Sequence, residues 1–441
     1  LHRYASDLAL IAAGVHGLRM LLQGRSWGRR TLPWISGLVL VAVVLVSGWT
    51  GYVMVWDTHG QLLAVEGARL LDVLPIFSEP LGRTFVGERP MPAAFFFLNL
   101  FLHIALPIGL ALLLWVHVAR VARPVLLPPR GLLWASVLLL MAVSVLWAAP
   151  LDPRADLLRL PERVSLDVFY TGFLPLTRGL SPGVVWGALL AGGAALLAVP
   201  FLTRPAPERA PAPSVVDERL CTGCEQCFVD CPWEAISMVA RTDGRLELVA
   251  RVDPDVCVSC GICSGSCAPM GVGPPLRTGR DQLDGVRAFI DGHRPRGEVV
   301  LVACARGAGG AADDDTFDGA PVLSVGCAGS LHSSVVEYLV RAGATGVLVV
   351  SCPPRDCWNR EGATWLEERM YHDREAELQA RVDRRRVRLL HASVGERREV
   401  AATLRDFRND LARLDAQAVE ETIEVDTVCE TAPAAGPEGS P

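Results

Sequence analysis

The sequence predicts a multidomain chain of three unlike parts: an all-α bundle built for lipid, a small cysteine-rich domain, and an α/β domain with a parallel sheet. Three observations predict it. Apolar residues, 51% of the 441, crowd before Pro205. Two runs of four closely spaced cysteines follow, and beyond Ala288 apolar runs of strand length alternate with amphipathic segments.

Five runs before Pro205, at 5–22, 32–56, 93–119, 132–149 and 183–202, approach or exceed the roughly 20 apolar residues that a helix needs to cross a bilayer. The chain starts without Met and already inside a helical pattern, so an upstream segment is expected. Net charge is only −6, every basic residue is Arg and none is Lys. We read the missing Lys as coding bias, and the charge argues against nucleic acid as a partner.

The first run, "LHRYASDLALIAAGVHGLRMLL", carries His2 and His16; the third, "FFFLNLFLHIALPIGLALLLWVHVAR", carries His103 and His117. Both pairs are fourteen residues apart, close to four helical turns, which puts each pair on one face about 21 Å apart. A lone histidine in lipid is well explained by an interhelical hydrogen bond. Two pairs at one spacing fit two haems better, since intramembrane polar residues are costly and haem iron commonly takes axial His. Gly37 and Gly51 in the second run are also fourteen apart, where a flat macrocycle could approach the backbone. Helix packing explains those glycines equally well taken alone.

These segments resemble a known family. Residues 1 to about 125 are similar to the cytochrome b core of quinol-oxidising respiratory and photosynthetic complexes, from its second helix onward. "HRYASDLALIAAGVHGLR" resembles that helix, "SGWTGYVMVWD" the family's GYVLPW segment, and "NLFLH" followed by "WVHVARV" its fourth helix. The resemblance implies one haem b held by His2 and His103 and another by His16 and His117, with quinone beside the latter. Val55 stands where the GYVLPW segment has Pro, and the family's first helix is missing. The loop that carries PEWY in members oxidising quinol at the outer site reads only "LPERV" and "LDVFY" here, leaving Glu162 and Asp167 as candidate acids, or as ordinary exposed ones.

"TRPAPERAPAPSVV" is a semi-extended Pro/Ala-rich linker. After it, "CTGCEQCFVDCP" supplies Cys221, Cys224, Cys227 and Cys231, and "CVSCGICSGSC" supplies Cys257, Cys260, Cys263 and Cys267. CxxCxxCxxxC twice matches the bacterial ferredoxin arrangement for two [4Fe-4S] clusters, in which the fourth Cys of each run ligates the other cluster. That arrangement implies one set of Cys221, Cys224, Cys227 and Cys267, and another of Cys257, Cys260, Cys263 and Cys231. Zinc knuckles use pairs of ligands rather than runs of four.

Next, "EVVLVAC", "APVLSVGC", "TGVLVVSC" and "RVRLLHAS" read as strands, while "LHSSVVEYLVRAG", "TWLEERMYHDREAELQARV" and "GERREVAATLRDFRNDLARL" read as helices. A parallel sheet follows, with its ligand edge at the carboxyl ends of the strands. Cys304, Cys327 and Cys352 fall on that edge and Cys357 just beyond. Four converging thiols suggest one [2Fe-2S] cluster; buried unligated cysteines are the plainer account of any one of them. Roughly residues 298 to 415 are similar to the delta subunit of methyl-viologen-reducing hydrogenases, an iron-sulfur protein passing electrons between a hydrogenase and a heterodisulfide-reductase-type flavoprotein. The family's Trp-Cys pair just after its first Cys is absent here. Cys429 lies in a Pro/Ala-rich tail and reads as an incidental thiol.

The expected domains are therefore 1–204 (transmembrane haem b bundle), 205–216 (linker), 217–284 (ferredoxin-like 2[4Fe-4S] domain), 285–415 (α/β domain) and 416–441 (tail). Together they suggest an electron-transfer subunit linking quinone or quinol to soluble flavin or iron-sulfur subunits, heterodisulfide-reductase-like or hydrogenase-like, in a hetero-oligomer whose dimerisation through the cytochrome b part stays open. The alternatives are a quinol reductase or bifurcating quinol oxidoreductase in its own right, or a docking scaffold with a metal-free C-terminal domain. Arginines balance across the bundle, so loop charge is nearly silent on orientation. Cluster assembly in a reducing compartment places the soluble domains in the cytoplasm, behind a multi-pass inner-membrane anchor.

Overall fold

A computed structural model describes all residues except 76–78, 120, 160–163, 165–166, 246, 311–313, 373, 375 and 431–441. The side chains of 207, 314, 315 and 418 onward also lie outside the description, and Glu162 lies outside the described residues. The chain divides into two units, Leu1–Arg209 and Ala210–Pro441.

The first unit is helical: α1 (His2–Leu22), α2 (Thr31–Val55), α3 (Thr58–Leu71), α4 (Ala93–Val118), α5 (Arg130–Leu146), α6 (Leu174–Gly179) and α7 (Pro182–Leu202). Among the described residues, α1, α4, α7 and the span Gly28–Val55 are long and apolar enough to cross a membrane. The fourth run forms α5, whose 17 residues sit at the short end of what spans. Neither α1 nor α5 has a buried residue, as expected of surfaces that face lipid.

Helix α3 was not anticipated. It is amphipathic, with its apolar side buried through Leu62, Leu63, Ala64, Val65 and Ala68. Asp57 caps it by accepting from the Gly60 N–H at 2.8 Å, satisfying a donor the helix start would otherwise orphan. Gly60 also lets α3 close on α2, because a Cβ there would stand 2.6 Å from the Tyr52 carbonyl oxygen.

Asp167 is buried and fully engaged. Its carboxylate accepts from the Tyr52 hydroxyl at 2.6 Å, from the Phe169 and Tyr170 N–H groups at 2.9 Å each, and faces Arg3 at 3.4 Å. Burial alone would raise its pKa, but the Tyr52 bond and the two backbone bonds outweigh burial and hold it below the ordinary carboxylate value. This acid ties the loop to α1 and α2. At the opposite end, Ser26 and Thr203 bond through their hydroxyls at 2.9 Å, and the chain leaves the bundle there.

The second unit contains β1 (Val215–Val216), α8 (Gln226–Val229), β2 (Ile236–Ala240), β3 (Leu248–Val252), α9 (Ile262–Ser266), β4 (Val272–Gly273), α10 (Gly279–His293), β5 (Val299–Cys304), β6 (Val322–Val325), α11 (Ser333–Arg341), β7 (Gly346–Ser351), α12 (Gly362–Tyr371), β8 (Val387–His391) and α13 (Arg397–Glu430). Strands β1 and β4, and β2 and β3, pair antiparallel. The sheet β6-β5-β7-β8 is parallel throughout. All residues of β5 and β7 are buried, as a strand covered on both faces requires. Val300 and Val302 enter one core with α11 and α12; Val299 and Leu301 enter another with α13.

Three boundaries differ from expectation. Helix α10, opened by a Thr278–Asp281 capping box, runs straight across 284/285. Helix α12 stops at Tyr371 although its apolar pattern continues. Past that point the chain turns back: the Leu378 N–H bonds the Arg369 carbonyl at 3.1 Å, and Arg374 reaches Gln226 and Asp230. Helix α13 continues through 416 to Glu430, because its helix-forming sequence is not interrupted until the prolines beyond.

Candidate functional site

Helices α2 and α4 run antiparallel, and this brings the two fourteen-residue patterns into register. A Cβ on Gly37 would meet His117 Cε1 at 3.5 Å; a Cβ on Gly51 would meet His103 Cε1 at 2.8 Å. The glycines therefore make room for the α4 imidazoles. Each is preceded by a hydroxyl: Ser36 Oγ lies 2.9 Å from His117 Nδ1 and Thr50 Oγ1 3.2 Å from His103 Nδ1.

Those contacts assign the tautomers. Ser36 donates to the Pro33 carbonyl and Thr50 to the Ser47 carbonyl, so each hydroxyl accepts from the imidazole. His103 Nδ1 also lies 3.0 Å from the Ser47 carbonyl oxygen, which can only accept. Nδ1 thus carries the proton on both rings, leaving the Nε2 lone pair free for a metal.

Across from them, the His2 and His103 ring centres are 6.1 Å apart with planes at 82°. A metal bound by one nitrogen of each of two opposed imidazoles at about 2 Å would separate the ring centres by roughly 6 Å. His16 lies within electrostatic range of His117. The structure thus brings His2 and His103 together, and their donor set suits an axially ligated haem.

In the second unit the two cysteine runs fold alike. Gly223 and Glu225 have φ of 75° and 65°, Ser259 and Gly261 of 58° and 78°, and Glu234 and Met270 of 52° and 56°. Each pair occupies the same place in its run. Such left-handed residues turn successive N–H groups into one concavity, a common shell for anions and iron-sulfur clusters. Matching N–H groups do point at sulfur: Ala235 N–H to Cys231 Sγ at 3.3 Å and Gly271 N–H to Cys267 Sγ at 3.2 Å.

Two cavities result. One is lined by Cys231, Cys257, Cys260 and Cys263; the other by Cys221, Cys224, Cys227 and Cys267. Each draws three cysteines from one run and one from the other. Among the described residues no three His, Cys, Asp or Glu side chains close around a single ion. Burial pushes the Cys263 thiol up to about 12 and raises Cys227 as well, an unfavourable setting for thiolates that bound metal reverses. Ser214, at the end of the expected linker, adds its N–H to Cys257 Sγ at 3.4 Å and its hydroxyl to Cys263 Sγ at 3.3 Å. Nothing in the Pro/Ala-rich linker sequence marked it.

The remaining thiols gather at the carboxyl edge of the parallel sheet. Strand order reverses between β5 and β7, and Cys304 and Cys352 end those strands, flanking the place where open α/β sheets bind ligands. Their sulfurs are 3.6 Å apart, close to the roughly 3.8 Å between two thiolates on one tetrahedral metal with 2.3 Å bonds. A Cβ on Gly362 would sit 3.3 Å from both Cys327 Sγ and Cys357 Sγ, so these two face a common point. The hydrogen bond from Cys352 lowers the Cys304 thiol, while burial pushes Cys327 up to about 12.

Comparison with known proteins follows the same division. Residues 7–132 match the cytochrome b(N-terminal)/b6/petB model, residues 220–271 the 4Fe-4S dicluster domain, and residues 299–415 the methyl-viologen-reducing hydrogenase delta subunit. The chain is similar to the menaquinol:cytochrome c reductase cytochrome b subunit of Geobacillus thermodenitrificans, 24% identical over 128 residues covering 28% of this chain and 56% of that one. The subunit of the same description from Bacillus subtilis (strain 168) is 26% identical over 94 residues, covering 21% and 42%. The chain thus spans about half the length of the curated relatives it matches. It is a multi-pass membrane protein in which segments matching the cytochrome b, 4Fe-4S dicluster and hydrogenase delta-subunit models follow one another in one polypeptide.

Proposed function

We propose that the chain is a membrane-anchored electron-transfer subunit that links the quinone pool, through two b haems, two [4Fe-4S] clusters and one [2Fe-2S] cluster, to a soluble flavin or iron-sulfur partner on the cytoplasmic side. His2 with His103 and His16 with His117 hold the haems. The two cross-paired cysteine sets hold the cubanes, and Cys304, Cys327, Cys352 and Cys357 hold the [2Fe-2S] group. These groups would supply one-electron carriers; the protein would position them and aims backbone N–H groups at the sulfurs of the cysteines that would hold them.

One observation carries this reading: the thiol pockets and the switch-point thiols share one unit of a polypeptide whose other unit holds the paired histidines. The chain also leaves the bundle at the Ser26–Thr203 end, the end to which the C-terminal turns of α1 and α4 bring His16 and His117. Quinone, a menaquinone by analogy with the named relatives, would exchange electrons beside that pair. The test is to add a menaquinol analogue to the purified native complex and follow b-haem absorbance together with iron-sulfur electron paramagnetic resonance. Reduction of both sets of centres supports the reading, and a preparation with full haem but no acid-labile sulfide would overturn it.

A further inference from the structure

Between the cysteine-bearing segments of the second unit lies a fixed charge that the proposed ligand sets do not use. Arg369, on α12, is 1% exposed. Its Nη1 donates to Ser266 Oγ at 3.0 Å and lies 3.6 Å from Asp230; its Nη2 donates to the Gly329 carbonyl at 2.5 Å. Ser266 in turn donates to Asp230 at 2.6 Å. Those contacts reach three cysteine segments at once, because Asp230 precedes Cys231, Ser266 precedes Cys267, and Gly329 lies two residues after Cys327.

The surroundings are built for a guanidinium. Gly265 has ordinary helical backbone, yet a Cβ there would stand 2.7 Å from Arg369 Nη2 and 2.8 Å from the Leu331 carbonyl, so the missing side chain serves the arginine. Arg374 supplies a second donor to Asp230 at 2.5 Å, leaving the Arg–Asp–Arg triad with one net positive charge. Arg369 Nε is buried with no hydrogen-bond partner among the described residues. Burial draws the guanidinium down to about 10, still protonated at neutral pH, and Cys263 and Cys327 both act on it electrostatically. A buried donor without an acceptor and a charge without full neutralisation are both costly unless an anion stands nearby.

We infer that Arg369 is a positioning residue for electron transfer: a fixed cation that raises the reduction potentials of the two centres on either side of it, one at Cys257, Cys260, Cys263 and Cys231, the other at Cys304, Cys327, Cys352 and Cys357. The inference rests on the cluster assignments of the preceding section. In the exchange it serves, one electron leaves one centre as the other is reduced, with no bond made or broken and no proton required. Positive charge favours the reduced, more anionic state of both, while the guanidinium bonds hold their spacing.

The experiment is a redox titration of the full chain, followed by electron paramagnetic resonance, in wild type, Arg369→Gln, Arg369→Lys and Asp230→Asn. Arg369→Gln is expected to disfavour reduction of the two flanking centres about tenfold, which is about 59 mV for a one-electron couple, with the centre at Cys221, Cys224, Cys227 and Cys267 moving least. Arg369→Lys keeps the charge and should leave the potentials near wild type while lowering thermal stability. Asp230→Asn removes the counter-charge and should shift the flanking centres the opposite way, so it decides the matter where Arg369→Gln does not retain its clusters. Full cluster content with unmoved potentials in Arg369→Gln, or in Asp230→Asn where only that variant retains clusters, overturns the inference. Wild-type protein without acid-labile sulfide overturns instead the assignment beneath it.

Discussion

Gly51→Ala should remove one haem and spare the other. The added methyl would stand 2.8 Å from His103 Cε1, whereas carbon atoms prefer about 3.5 Å or more. Relieving that contact drives the ring away from α2 by roughly 0.7 Å. Its Nδ1 bonds to Ser47 and Thr50, at 3.0 and 3.2 Å, would then stretch beyond hydrogen-bonding range. Overpacking of this kind costs about 1–3 kcal/mol, and the two bonds about 0.5–1.5 kcal/mol each. Alanine returns about 1 kcal/mol of helix propensity, too little to balance. At Gly37 the same methyl meets His117 at 3.5 Å, an ordinary contact, so Gly37→Ala should be neutral or mildly stabilising. The assay is the pyridine haemochrome count with reduced-minus-oxidised spectra: about one haem per chain for Gly51→Ala and about two for Gly37→Ala. Two unperturbed haems in Gly51→Ala, or equal loss in both variants, would refute the reasoning.

Ser36→Ala deletes one acceptor for His117 Nδ1 and should shift the midpoint of one b haem only, through a bond worth about 1 kcal/mol; potentiometric titration of the haem bands reads it. Cys352→Ser should lower non-haem iron from about ten to about eight per chain, by colorimetric iron and sulfide assay, and unchanged iron would leave the C-terminal domain a docking element. Because the folded pKa of Asp167 is depressed, its ionised form contributes stability above about pH 4 that is lost as pH falls through the folded value. The melting-temperature gap between wild type and Asp167→Asn in detergent should accordingly narrow on acidification. Protease should cut the 205–213 linker in sealed inside-out vesicles but not in right-side-out ones; the reverse would invert the proposed topology.

Covalent regularities made most of the site legible. Fourteen-residue spacings survive as helix faces, cysteine runs survive as loops, and apolar runs ending on Cys survive as strands ending at one sheet edge. What escaped depends on elements that meet only in three dimensions. Ser36 and Thr50 matter because α4 lies opposite them, although the hydroxyl–glycine dipeptides at one spacing were a signal that could have been used. Ser214 hides in a linker by composition and joins a cluster shell only when β1 pairs with β4. Arg369 sits in a charged amphipathic segment that reads as a solvated face until α9 packs on it. Helix α3 missed notice because its length falls below any membrane rule, even though Asp57 marks its start.

The hydroxyl–glycine pairs of α2 also act as a ruler. Both reference marks for the α4 imidazoles are engraved on one covalent rod, about 21 Å apart by helical rise alone. Tilting or breathing of the neighbouring helices can change how each ring leans but not how far apart the marks stand. The interval between the two proposed haem levels is thereby held constant by backbone geometry, while the loops at either end remain free to vary.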